Sequence, residues 1–174
     1  RYYLGLINRE DPRDPLRKLM IPTMAEMDAA GSYDTGNERG ATVAPGLQHK
    51  YPQTALMLAT NQCASYCRYC FRKIRVGTPD EALVPRVRTA VEYIQVHPEI
   101  TNVLISGGDP LTLSTEVLTE IIEPLSRIPT LDYLRIGTKV PVVLPQRILQ
   151  DEELVQRLGE YTRYRKAIHV VTHF

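Results

Sequence analysis

An α/β fold built on a parallel sheet is what this 174-residue sequence predicts, and three observations carry the prediction. From Thr54 onward, apolar runs of strand length alternate with stretches of helical period, the pattern of βα units. The first apolar run leads straight into a loop holding all three cysteines of the chain. The second leads into Ser106-Gly107-Gly108-Asp109-Pro110, and in parallel α/β folds ligands bind where strands end and loops begin.

Residues 1–46 read as an N-terminal extension. Asp11-Pro12, Asp14-Pro15, Gly31-Ser32, Gly36-Asn37 and Ala44-Pro45-Gly46 are turn punctuation, leaving room for short helices over 16–20 and 24–30. Residues 47–174 hold the βα units. The first strand is expected over 55–60. A helix follows over 85–96, where Val87, Ala90, Val91 and Ile94 recur at helical spacing and proline suits the first turn. A strand over 103–105 precedes a helix over 115–127, with Ser114 as N-cap and a stripe of Val117, Leu118, Ile121, Ile122 and Leu125. The third strand spans 133–136, and the third helix spans 151–161 with Leu154, Val155 and Leu158 inward. The fourth strand spans 168–172, where His169, Val171 and His173 share a face by the period-two rule. Four strands do not close a barrel.

The composition excludes several function classes. A hydrophobic content of 43% fits a globular chain, and a net charge of +1 gives no electrostatic case for nucleic acid. No apolar run approaches the roughly 20 residues that span a bilayer, and no signal peptide opens the chain. A soluble, cytoplasmic protein is expected, with homo-oligomerisation open. The chain begins at Arg1 without methionine and stops at Phe174 directly after a strand, so it reads as a fragment.

Cys63-Ala-Ser-Tyr-Cys67-Arg-Tyr-Cys70 gathers three thiols on one loop. An odd cysteine count without a signal peptide argues for a reducing compartment and against a disulfide. Structural zinc takes a closed tetrahedral set, so a fourth ligand would have to come from a distant residue such as His49 or His97. An iron–sulfur cube held by three cysteines instead leaves one iron open to a non-protein ligand. Arg68, Arg72, Lys73 and Arg75 crowd the loop; they favour ionised sulfurs or form a solvated face. In the second loop, Gly107 and Gly108 allow close backbone approach, and their carbonyls with Asp109 offer acceptors for an ammonium group.

The cysteine spacing resembles the signature of the radical S-adenosylmethionine superfamily, and Phe71-Arg72-Lys73 narrows the resemblance to the lysine 2,3-aminomutase family. The resemblance covers essentially the whole chain. It implies a partial TIM-like barrel of six βα units, of which residues 47–174 would supply the first half. It implies a 4Fe–4S cluster on Cys63, Cys67 and Cys70, whose open iron chelates S-adenosylmethionine. Tyr69 matches the position near the adenine ring. Ser106, Gly107, Gly108 and Asp109 match the "GGDP" loop that receives the methionyl amine. The stretch from Arg135 to Arg147 is similar to the family's "RIGTRVPVVLPQR", with Lys139 in place of arginine. Gly46-Leu47-Gln48-His49-Lys50-Tyr51-Pro52 resembles "GLTHRYPDR", where basic residues hold the phosphate of pyridoxal phosphate. Here Lys50 and Thr54 replace the two arginines, and lysine lacks the bidentate fork. Arg72 matches the arginine that binds the substrate's carboxylate.

The implied reaction is reductive cleavage of S-adenosylmethionine, followed by a 1,2-amino migration on an amino acid, L-lysine foremost. A ferredoxin or flavodoxin would supply the electron. Phe71 resembles instead the relatives that form β-lysine for a translation factor. A non-catalytic iron–sulfur or zinc module is the rival from another class; it needs a fourth protein ligand and has no use for the glycine loop. An inactive truncated relative is the third reading.

Overall fold

A six-stranded sheet runs through the computed structural model, which describes residues 2–28, 30–79 and 83–174. Its strands lie side by side in sequence order: β1 (Thr42–Ala44), β2 (Leu47–Tyr51), β3 (Thr54–Thr60), β4 (Asn102–Gly107), β5 (Tyr133–Gly137) and β6 (Ala167–Val171). β1, β2 and β3 pair antiparallel, while β3 to β6 pair parallel. The four parallel strands are the expected ones, each extended or shifted by a residue or two. β1 and β2 are additional, so the sheet begins ahead of the expected first strand. Their sequence hides them: β2 carries Gln48, His49 and Lys50, and only Leu47 and Gln48 are buried, so neither an apolar run nor a clean alternation marks it. The sheet is open, with β1 and β6 at its edges. Among the described residues the sheet is mixed, has six strands rather than the four expected, and does not close into a barrel.

Three long helices cover the parallel strands: α4 (Leu83–Gln95), α5 (Thr115–Ser126) and α8 (Glu152–Tyr164). Shorter helices are α1 (Tyr2–Gly5), α2 (Pro15–Met20), α3 (Glu38–Ala41), α6 (Val140–Val143) and α7 (Gln146–Leu149), with 3₁₀ turns at Met24–Met27 and Pro110–Thr112. The helix expected over 24–30 is thus a single 3₁₀ turn, and Ala29 lies outside the described residues. Pro141 and Pro145 each stand at the start of a short helix, where a missing N–H costs nothing.

The main core sits between these helices and the sheet. Ile94 of α4, Leu118, Ile121, Ile122 and Leu125 of α5, and Leu154 of α8 pack with Val103, Ile105, Leu134 and Ile136. Ser114 caps α5 by accepting from the Val117 N–H, as expected. Val155 is a correction: it is 54% exposed, and Tyr161 takes the inward place. Leu154, Leu158 and Tyr161 recur at i, i+4 and i+7, the true stripe of that helix. A second, small cluster joins Tyr3, Met20 and Val143 with Leu16, Leu19 and Cys67. It brings the N-terminal extension onto the cysteine loop. No helix among the described residues is long and apolar enough to cross a membrane.

Candidate functional site

The strand ends of β3, β4, β5 and β6 open onto one cavity of about 530 Å³. Cys63, Cys67 and Cys70 line it from the loop after β3, and Ser106, Gly107, Gly108 and Asp109 line it from the loop after β4. Tyr69, Arg72, Lys139 and His173 also reach it. Of the residues singled out from sequence for cofactor or substrate, Lys50 alone does not line this cavity. Its ammonium donates to the Gly36 carbonyl at 2.9 Å.

The cysteine loop is held from three sides. On the N-terminal side, the Arg68 N–H donates to the Leu19 carbonyl and its guanidinium to the Lys18 carbonyl, while Nε pairs with Glu26 at 2.5 Å. Below it, Gly108 N–H donates to the Thr60 carbonyl at 2.6 Å and Asp109 N–H to the Gln62 carbonyl at 2.7 Å. This contact explains the two glycines. A Cβ on Gly107 would lie 2.3 Å from the Thr60 oxygen, and one on Gly108 would lie 2.2 Å from the Gln62 oxygen. Gly107 also sits at φ +118°, where L side chains are strained. The close approach that the glycines permit is therefore first of all chain against chain. On the third side, the Tyr69 hydroxyl accepts from the Lys139 ammonium at 2.7 Å and lies 3.2 Å from His173 Nδ1. Tyr69 thereby latches the cysteine loop to the loops that follow β5 and β6.

Asp109 is buried and its carboxylate is fully engaged. One oxygen accepts from the Thr138 hydroxyl at 2.5 Å and the Leu111 N–H at 3.1 Å; the other accepts from the N–H groups of Lys139 and Val140. Two carboxylate oxygens offer about four acceptor sites, and all are used. Asp109 is the buckle that fastens the β4 loop to the β5 loop.

Three of the four cations around the cysteines pair with carboxylates. Arg68 and Lys73 face Glu26, and Arg72 donates through Nε to Glu38 at 2.7 Å with both side chains largely buried. Burial, then the Asp109 carboxylate and the other two cysteines, push the Cys63 thiol up to about 12. All three cysteines are free and partly buried. Among the described residues they are not one of the groups whose ligand atoms all lie within 4.8 Å, the gathering a single ion requires. His49 and His97, considered as a distant fourth ligand, lie instead with Glu99 in a group of their own.

Sequence reasoning missed Glu38, because it lies outside every motif and reaches Arg72 across 34 positions. It left Lys139, Arg147 and His173 without roles. Arg147 holds the Leu111 and Leu113 carbonyls and the Asp151 carboxylate, so it supports the loop after β4 and the start of α8. Arg135 donates to the Asn102 side chain at the opposite end of the strands. His169 stands edge-on to Tyr133, outside the cavity.

No protein-family model matches the chain. Curated relatives do. The chain is 43% identical over 176 residues to the L-lysine 2,3-aminomutase of Clostridium subterminale and equally to that of Acetoanaerobium sticklandii. It is 37% identical over 175 residues to the glutamate 2,3-aminomutase of Clostridioides difficile. Each match covers 99% of this chain. The chain belongs to the lysine 2,3-aminomutase family. It spans 40 to 41% of the length of these three relatives, which by name are aminomutases and thus isomerases.

Proposed function

We propose that the aminomutase-family chain contributes the cluster-binding and S-adenosylmethionine-binding part of an enzyme that starts a 1,2-amino migration on an amino acid. The observation that carries this reading is the single cavity into which the three cysteines and the Ser106–Asp109 loop both open. When bound, a 4Fe–4S cluster and S-adenosylmethionine supply the radical chemistry. The three thiols fit such a cluster: they are free, face one cavity and stand wider apart than ligands of one ion. Zinc would need a fourth protein ligand, and no other cysteine exists.

The residues of the chain divide the work. Cys63, Cys67 and Cys70 hold the cluster. The Gly107–Gly108 backbone meets the ammonium of the methionyl end, and Asp109 keeps that backbone in place. Tyr69 borders the cofactor on the side of β5 and β6. Arg72 is the cavity's planar cation, suited to a carboxylate, and Glu38 occupies it here. Lys50, the residue offered to the phosphate of pyridoxal phosphate, lies outside this cavity and donates to the Gly36 carbonyl, so the proposal of that cofactor rests on the aminomutase relatives. The substrate class is an α-amino acid, since the relatives are named for lysine and for glutamate. A cluster of this kind calls for a reducing compartment, the cytoplasm, and for an electron donor of the ferredoxin or flavodoxin class.

Anaerobic reconstitution tests the reading. One 4Fe–4S cluster per chain is expected by iron and sulfide analysis, and serine at any of the three cysteine positions should abolish stable loading. S-adenosylmethionine added to the reduced protein should change its electron paramagnetic resonance spectrum and yield 5′-deoxyadenosine. Stoichiometric zinc with no iron–sulfur absorbance would overturn the proposal.

A further inference from the structure

A second cluster of ligating side chains lies far from the cysteines. His49 comes from β2, beside the start of β3 (Tyr51 pairs with Thr54), and His97 and Glu99 come from the connection between α4 and β4. The cysteines follow the other end of β3. Among the described residues, His49, His97 and Glu99 are the one group of three whose ligand atoms all lie within 4.8 Å of one another.

The surroundings pre-set the rings. His49 Nε2 lies 3.1 Å from the Pro52 carbonyl. A carbonyl can only accept, so Nε2 carries the hydrogen and Nδ1 carries the lone pair. That lone pair now takes the Tyr93 hydroxyl at 3.0 Å. A ring N–H held by a backbone carbonyl is the outer-shell arrangement that orients histidine ligands. His97 is stacked on Tyr93 at 4.0 Å and stands edge-on to His49 at 5.7 Å. Its Nδ1 lies 2.8 Å from a Glu99 oxygen. A carboxylate therefore faces two imidazoles on a packed support.

We propose that His49, His97 and Glu99 form a binding site for a divalent transition-metal ion of the zinc type, with water in the fourth position. Two imidazoles and one carboxylate are a donor set suited to zinc, whose bonds to such ligands run about 2.0–2.2 Å. In a tetrahedron of that size the ligand atoms stand ~3.4 Å apart, so no pair among atoms that all lie within 4.8 Å has to close by more than about 1.4 Å. The Tyr93 hydroxyl turns away from Nδ1 as the ion takes that lone pair. No bond to carbon changes, and no redox step is involved. The bound ion staples the β2–β3 hairpin to the end of α4, at the end of the sheet opposite the cavity.

Zinc titrated into the cluster-loaded protein, followed by two-dimensional NMR of the histidine rings, tests the site. The chain has four histidines. The signals of His49 and His97 should shift together to a saturating endpoint at one zinc per chain, while those of His169 and His173 stay. Glu99→Gln keeps the shape of the side chain and removes its charge; it should weaken binding at least about tenfold, as loss of even an outer-shell partner can. His97→Ala should weaken it at least as much. Circular dichroism of each variant checks that the fold persists. Tyr93→Phe frees the lone pair of His49 and should leave binding as tight or tighter. Absence of a saturable shift at His49 and His97, or affinities unchanged in both Glu99→Gln and His97→Ala, would overturn the site.

Discussion

Asp109 works as an acceptor on both of its oxygens, and this makes its amide no conservative replacement. Asparagine at that position can keep Thr138 and Leu111 on its remaining oxygen, but its NH₂ then points at the N–H groups of Lys139 and Val140. Donor against donor in a buried site leaves the Lys139 N–H unsatisfied, at about 1–3 kcal/mol, while the Val140 N–H keeps the Thr138 hydroxyl at 3.0 Å. Asp109→Asn should therefore destabilise the protein by ~2 kcal/mol, and Asp109→Ala by more, by denaturant unfolding. A melting curve like the wild type's would remove the buckle from the account. The cysteines and the glycine pair were legible in the sequence because each set is contiguous. The partners that explain them were not. Asp109 meets Thr138 across 29 positions, and Tyr69 meets His173 across 104; no local pattern announces such pairs.

Among the elements, the 3₁₀ turn Met24–Met27 and α2 form a clamp on the cysteine loop through Glu26, Lys18, Leu19 and Arg68. The backbone N–H of Thr23, and then Arg68, hold the Glu26 carboxyl below its ordinary range. A carboxyl with a lowered value in the fold adds stability above its unfolded value and loses it as pH falls through its folded one. Glu26→Gln should accordingly melt lower than the wild type near neutrality, and the difference should vanish in acid as the native carboxyl takes up its proton. Parallel melting curves across that range would show that the clamp does not depend on charge. The extension was expected to be mere punctuation, since its helices are short and its core is three residues deep. The long helices were legible because α4 and α5 keep a 3.6-residue stripe over three turns. The hairpin of β1 and β2 was not, because a strand at a sheet margin buries too few residues to leave a pattern.

For the molecule as a whole, β6 is an edge: it pairs with β5 on one side, and Val170 and Val171 are about half exposed. Exposed apolar edge strands invite pairing with further strands. Val170→Lys should reduce concentration-dependent association, read by light scattering; unchanged association would mean that another surface drives it. The order of the strands has one more consequence. Each strand pairs only with its neighbours in sequence, so no strand waits for a distant one. Chains are made from the N-terminus, and loop closure between near neighbours carries little entropic cost. As the ribosome releases the chain, each new βα unit meets an edge already formed, so the sheet can grow vectorially during synthesis. The cysteine loop is then in place before β5 and β6 arrive to latch it, so the three thiols face open solvent until those strands close over them.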